Sequence, residues 1–167
     1  MKENEVLAMP TDVRTPYQSI TNQDQMIWYL NAQHVVAKWN NIIINATTGK
    51  EQLEIMDKSG VFASDVKLTF DFGGEPITTT GLKEEPLEFY TSFINPLKKR
   101  RFNIASNVDV VEFGENYLRF NFKHSIFMNE ALSIVGENQC ILISKDNKFF
   151  ISSAYIKVIL NNTEHAY

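Results

Sequence analysis

His124 carries the clearest chemical suggestion in this sequence. Leu118, Phe120, Phe122, His124 and Ile126 recur with a period of two, so a strand there sets one imidazole among apolar neighbours. An imidazole so placed titrates near neutrality and can move a proton. The same pattern also describes a core histidine bonded to a neighbour, or a row turned towards a second subunit. Asp71 is a reserve base. Val66, Leu68, Phe70 and Phe72 take one side of their strand and Lys67, Thr69 and Asp71 the other. Asp71 therefore points outward unless a bulge near Gly73-Gly74 turns it in. Glu137 and Gln139 share a face with Ser133 and Ile141, a row that either supplies polar groups to a cavity or lies outside it. Trp28, Tyr29, Trp39 and Tyr90 present broad faces with one polar atom each, which suits a flat ligand, with Tyr29 as an orienting hydroxyl. Core packing explains Trp39 equally well. Phe70, Phe120 and Phe122 are the apolar lining of the same expected pocket.

Two helices, a strand, a helix and four further strands must position these groups. Thr21 reads as an N-cap, and Trp28, Ala32, Val35, Val36, Trp39, Ile42, Ile43 and Ala46 then form one apolar stripe at helical spacing. Thr48-Gly49-Lys50-Glu51 has the form of a capping box, which predicts a second helix from Gly49 to about Lys58, ended by Ser59-Gly60. Its Leu53, Ile55 and Met56 are expected to pack on the first helix as an antiparallel pair. A half-buried strand over 66–72 leads to a turn at Gly73-Gly74-Glu75-Pro76. Pro86 then opens a third helix that buries Leu87, Tyr90, Phe93 and Ile94 and ends near Pro96. Strands follow at about 102–113, 116–128, 130–143 and 148–160, separated by turn signals at 114–116, 129–130 and 145–147. Helices followed by consecutive strands imply an α+β domain with an antiparallel sheet. We expect an N-terminal arm over 1–20, a single domain over 21–160 and a tail over 161–167.

Composition narrows the function classes. The chain has 167 residues and a net charge of −4, so nothing favours nucleic acid as a partner. Cys140 is the single cysteine, which excludes an intrachain disulfide and a zinc module of clustered cysteines. Neither an export signal nor an apolar run long enough to span a membrane is present, so we expect a cytoplasmic protein with no membrane partner. Lys98-Lys99-Arg100-Arg101 reads as a complement to a helix dipole in preference to a phosphate site. Gly49-Lys50 is no phosphate loop, because Glu51 stands where a Ser or Thr is required and Ile44 where a glycine is.

Several segments carry a family resemblance. They are Trp39, the lead-in Phe62-Ala63-Ser64-Asp65, the strand to Phe72, Gly81, Leu87-Glu88-Phe89-Tyr90, and the pair Ile141-Leu142-Ile143 with Lys148-Phe149-Phe150-Ile151. In pattern and order they resemble the nuclear transport factor 2-like superfamily, and within it the SnoaL-like and ketosteroid-isomerase-like group. The resemblance spans roughly residues 21 to 160 and rests on no invariant motif. It implies a cone-shaped, cystatin-like α+β fold, with three N-terminal helices packed on a strongly curved, mainly antiparallel sheet. A mostly apolar cavity would open at one end, and two copies would pair through the outer sheet face. The implied chemistry needs no cofactor and no metal: isomerisation, dehydration or cyclisation, beside members that only bind. In the isomerase-like members a carboxylate base projects from the first strand. Here Phe70 falls at that position and Asp71 one residue late. The second carboxyl, which binds the oxyanion, falls on Gln139, whose amide can donate a hydrogen bond but not a proton.

The expectation is a small apolar or aromatic molecule held in a hollow interior. If the protein turns its guest over, His124 is the acid or base, Gln139 the oxyanion donor, Tyr29 the orienting hydroxyl and Asp71 the reserve base. The alternative is a non-catalytic module of the same fold that recognises another protein.

Overall fold

A computed structural model describes residues 20–94, 102–128 and 131–160. The chain runs through α1 (Gln23–Asn45), α2 (Gly49–Ser59), β1 (Phe62–Asp71), β2 (Ile77–Thr80), α3 (Glu84–Ile94), β3 (Phe102–Phe113), β4 (Tyr117–Met128), β5 (Ala131–Lys145) and β6 (Lys148–Leu160). This is the expected α+β order with one added strand, β2. Ile77-Thr78-Thr79-Thr80 is a β-branched run, a strand signal that the proline and glycines before it obscure. The expected basic run at 98–101 and the tail at 161–167 lie outside the described residues. Of the expected arm only Ile20 is described, and it packs against the core.

Capping residues set the helix ends. Asn22, not Thr21, is the N-cap of α1, with its side-chain oxygen accepting from the Gln25 amide at 2.9 Å. Thr21 instead donates its own amide to Gln25 Oε1 at 2.7 Å, so both residues hold the first turn. Thr48 caps α2 by accepting from the Glu51 amide at 3.0 Å, while the Glu51 carboxylate reaches back to the Thr47 amide. Gly60, at φ 71°, ends α2 in the left-handed conformation that a side chain disfavours. The expected stripe on α1 is buried from Ala32 to Ala46, and Tyr29 joins it.

The six strands form one sheet in the order β2-β1-β6-β5-β4-β3. Strands β3 to β6 are an antiparallel meander, and β1 enters beside β6 in parallel. Register shifts in β1, β3, β4 and β5 interrupt the ladders, and such irregularities bend a sheet. The three helices cover one face of this curved sheet. That inner face carries Val66, Leu68 and Phe70 from β1, Leu118, Phe120 and Phe122 from β4, Leu142 from β5 and Ala154, Ile156 and Val158 from β6, all buried. Trp39 of α1 lies edge-on to Phe62 and to Phe122, each at 5.3 Å between ring centroids. These contacts fill the middle of the layer between helix and sheet.

The second helix differs in its neighbours from the expected antiparallel pair. It packs on α1, but its closest approach is to α3, where a side chain at the buried Gly49 would stand 2.5 Å from Glu88 Cα. The Glu88 carboxylate accepts from the Gly49 amide at 3.1 Å and fixes this contact. Gly49→Ala must push the two helices apart, and overpacking of this kind costs about 1–3 kcal/mol. Urea unfolding of the variant measures this, and an unchanged midpoint would show that the two helices do not touch there.

Candidate functional site

Strand parity divides the expected site residues between the two faces of the sheet. His124 is on the inner face, 1% exposed, in the row that the sequence assigns to it. Its ring meets Phe122 edge-on at 4.8 Å. Burial pushes its pKa down to about 3, so the imidazole is neutral across the physiological range. Opposite His124 on β5 stands Gly136, and two residues on is Asn138, 2% exposed. A Cβ at Gly136 would lie 3.6 Å from His124 Cδ2 and 3.8 Å from Asn138 Nδ2, ordinary contact distances. The glycine thus leaves the space of a methyl group between the two polar side chains.

Two backbone carbonyls orient the Asn138 amide. Its Nδ2 donates to Phe122 O at 3.3 Å and to Gly136 O at 3.4 Å, so the amide cannot be flipped without setting oxygen against oxygen. The Asn138 Oδ1 that remains is buried and, like Gln52 Oε1 in α2, has no hydrogen-bond partner among the described residues. The sequence reading missed Asn138 because it weighed Glu137 and Gln139, the residues of opposite parity. The signal was available: Cys140 and Leu142 continue the Asn138 row, and both are apolar.

Gln139 and Asp71 both lie on the outer face, the place that strand parity assigns to Asp71. Gln139 is exposed on the outer face, where it cannot meet a group bound beside His124. No bulge turns Asp71 inward. Its carboxylate accepts from the Gly73 amide at 2.9 Å and from the Tyr155 hydroxyl at 2.8 Å. These two bonds, with Lys157 nearby, hold the Asp71 pKa below its usual value, and the same carboxylate raises that of Tyr155. Asp71, Glu137, Gln139, Tyr155 and Lys157 line an outer cleft of about 290 Å³. A second outer cleft, of about 390 Å³, takes in Asp109, Asn121, Lys123 and Glu137, with Lys123 and Glu137 paired at 3.8 Å.

The aromatic candidates are core residues. Trp39, Phe70, Phe120, Phe122 and Tyr90 are buried, and burial raises the Tyr90 hydroxyl far above its ordinary pKa. Trp28 is half-buried and lies edge-on to Phe149 at 4.8 Å. Tyr29 accepts from Gln33 Nε2 at 2.8 Å, which turns its hydroxyl towards its own helix. Neither the two outer clefts nor the larger one between β2 and α3 takes in His124, Trp39 or Tyr29. Among the described residues no cluster of three or more histidine, cysteine or carboxylate side chains could hold a metal ion, and no helix is long and apolar enough to cross a membrane.

No family model matches this chain, and no curated protein matches it by sequence. Solved structures do match. The yeast UBP3-associated protein BRE5 superimposes with a TM-score of 0.51 at 18% identity, covering 84% of this chain and 100% of that one. An NTF-2 like protein of unknown function from Pseudomonas aeruginosa has a TM-score of 0.51 at 11% identity, over 77% of this chain and 98% of its own. A Nostoc punctiforme protein described as having a cystatin-like fold has a TM-score of 0.50 at 14% identity, over 78% and 92% of the two chains. With three helices on one face of a curved, mostly antiparallel sheet, the chain has the nuclear transport factor 2-like, or cystatin-like, fold.

Proposed function

We propose that this chain binds a small, largely apolar molecule bearing a hydrogen-bond donor, and holds it between His124 and Asn138 without turning it over. The observation that carries this reading is the Asn138 amide, buried and aimed by two carbonyls, whose own oxygen meets no described donor. An unsatisfied buried acceptor costs about 1–3 kcal/mol. A guest hydroxyl or amide hydrogen recovers that cost. Gly136 leaves the space of a methyl group beside the two polar groups, so the polar hydrogen of the guest enters there and its apolar body needs neighbouring side chains to move aside.

The separation of the acid and base candidates argues against turnover. General acid–base catalysis needs two groups of displaced pKa within reach of one substrate. His124 is inside and neutral, whereas Asp71 and Gln139 are on the opposite face of the sheet. A reducing, cytoplasmic setting belongs to the same proposal, and the buried Cys140 is a free thiol in it. Pairing of two copies through the outer sheet face belongs to the same proposal. Rows such as Asp109, Asn121, Gln139 and Tyr155 make that interface hydrogen-bonded and wet. The yeast neighbour, a UBP3-associated protein, favours a second reading of this chain as an interaction module.

Gly136→Ala separates binding from folding. Its Cβ meets only ordinary contacts, so the variant is expected to gain about 0.4–1 kcal/mol of stability from a less flexible unfolded chain. It should also bind at least tenfold more weakly those phenols and aryl alcohols that raise the melting temperature of the wild-type protein. If every such compound binds the variant as well as the wild type, the niche is not the site.

The neutral imidazole makes a separate prediction. His124 takes up its proton near pH 6.5 when unfolded and only near 3 when folded, so its contribution is complete above pH 6.5 and is lost as the pH falls towards 3. The loss is about 1.4 kcal/mol per pH unit, or about 2 kcal/mol between pH 6.5 and 5. Urea unfolding at those two pH values should show this slope in the wild type and a flatter one in His124→Gln. Equal slopes would mean that the ring is not desolvated.

A further inference from the structure

We infer that the cleft between β2 and α3 is a second ligand site, which takes a small cationic amphiphile: an aliphatic or aryl body carrying one ammonium group. The cleft measures about 1070 Å³, and two elements supply its apolar floor. Ile77 and Thr79 lie on the inner face of the sheet beside Phe70 and Leu68, and Pro86 and Phe89 join them from α3. Leu68 and Phe70 are buried, whereas Ile77 is 45% and Phe89 49% exposed, so the apolar inner face runs on into the open at its β2 edge. Phe72 stands edge-on to Phe89 at 4.6 Å and supports one side of that ring.

The charge of the same cleft selects the head group. Glu85, Phe89 and Ser92 follow one another at four- and three-residue spacing along one side of α3, and all three line the cleft. A carboxylate thus stands one helical turn from the exposed ring, with Glu84 next to it. The pull of a helix N-terminus on negative charge accounts for carboxylates in this first turn, but not for the open apolar floor beside them. Glu88 is engaged with the Gly49 amide. Lys83 is the one cation in the lining, and among the described residues no ion pair joins it to Glu84 or Glu85, so the rim stays net negative. Two exposed apolar side chains are far fewer than the roughly 20–30 residues that each side of a stable protein interface contributes. They match a single alkyl chain or ring. Its body lies on Ile77 and Phe89 while the ammonium meets Glu84 and Glu85, and a neutral or anionic amphiphile satisfies only the first of these contacts. None of these residues belongs to the His124 niche, so the inference stands apart from that reading.

The test is a titration of the isotope-labelled protein with octylamine, octanol and octanoate, read from the backbone amide shifts. Octylamine should saturate, with shifts concentrated at Ile77, Thr79 and Phe89 while those of Gly136 and Asn138 stay still. Octanol should bind about threefold to fivefold more weakly, the worth of an exposed ion pair, and octanoate more weakly again. The double variant Glu84→Gln, Glu85→Gln should abolish the preference for the amine. Ile77→Thr keeps a β-branched residue at an exposed site and should weaken all three compounds alike, about fivefold, with an unchanged melting temperature. Phe89→Ser repeats that loss from the helix side. Equal binding of the three compounds, absence of saturation by octylamine, or a preference that survives the double variant overturns the proposal. So do shifts centred on Gly136, which move the amine to the His124 niche. A doubling of mass that Ile77→Thr abolishes overturns it as well, by assigning the floor to a second copy.

Discussion

The two-residue alternation of the strands is the constraint on which this molecule depends. Each strand of the sheet sends one set of side chains under the helices and the other to the outside, and the ladders keep the sets aligned from strand to strand. Phe70 lies beside Ile156, Ile156 beside Asn138, Asn138 beside Phe122 and Phe122 beside Val108. Along the adjacent row Asp71, Lys157, Glu137, Lys123 and Asn107 follow one another with opposite charges interleaved. A slip of one residue in any ladder would bring charge into the core, so the inner row fixes the register and the outer row inherits it.

The helices respond to the same constraint. The stripe on α1 is wide enough to cover the aromatic rows of β4 and lets Trp39 reach both Phe62 and Phe122. Gly49 and Glu88 draw α2 and α3 together at a distance that only a glycine permits. With the middle of the layer filled in this way, the polar pair His124 and Asn138 lies off the aromatic centre. In place of the expected hollow interior, aromatic side chains fill the middle of the layer, and the binding place proposed above is confined to the space beside Gly136.

Most of the architecture was legible in the sequence because it is written in periods. The stripe of α1, the capping box at Thr48 and the turn signals between β3 and β6 each report a local preference that tertiary packing reinforces. Strand β2 escaped because four residues carry too short a pattern, and the parallel entry of β1 beside β6 escaped because pairing across most of the chain leaves no local trace. The faces of the candidate site residues were legible only in part. The burial of His124 follows from its row, but Gln139 was chosen by alignment to a distant pattern, and its inward neighbour Asn138 was overlooked. Asp71 obeyed its parity, and the Gly73 amide and the Tyr155 hydroxyl account for its place on the outside.

The position of β6 has a consequence for the order in which the molecule is completed. This last strand lies between β1 and β5, and within the sheet it is the one link between the N-terminal half and the meander. During synthesis the first three helices and β1 emerge long before the strand that β1 needs. The nascent chain therefore carries an open apolar surface on β1 until its C-terminal strand leaves the ribosome. Closure of the sheet is therefore a late, long-range event in the folding of this domain.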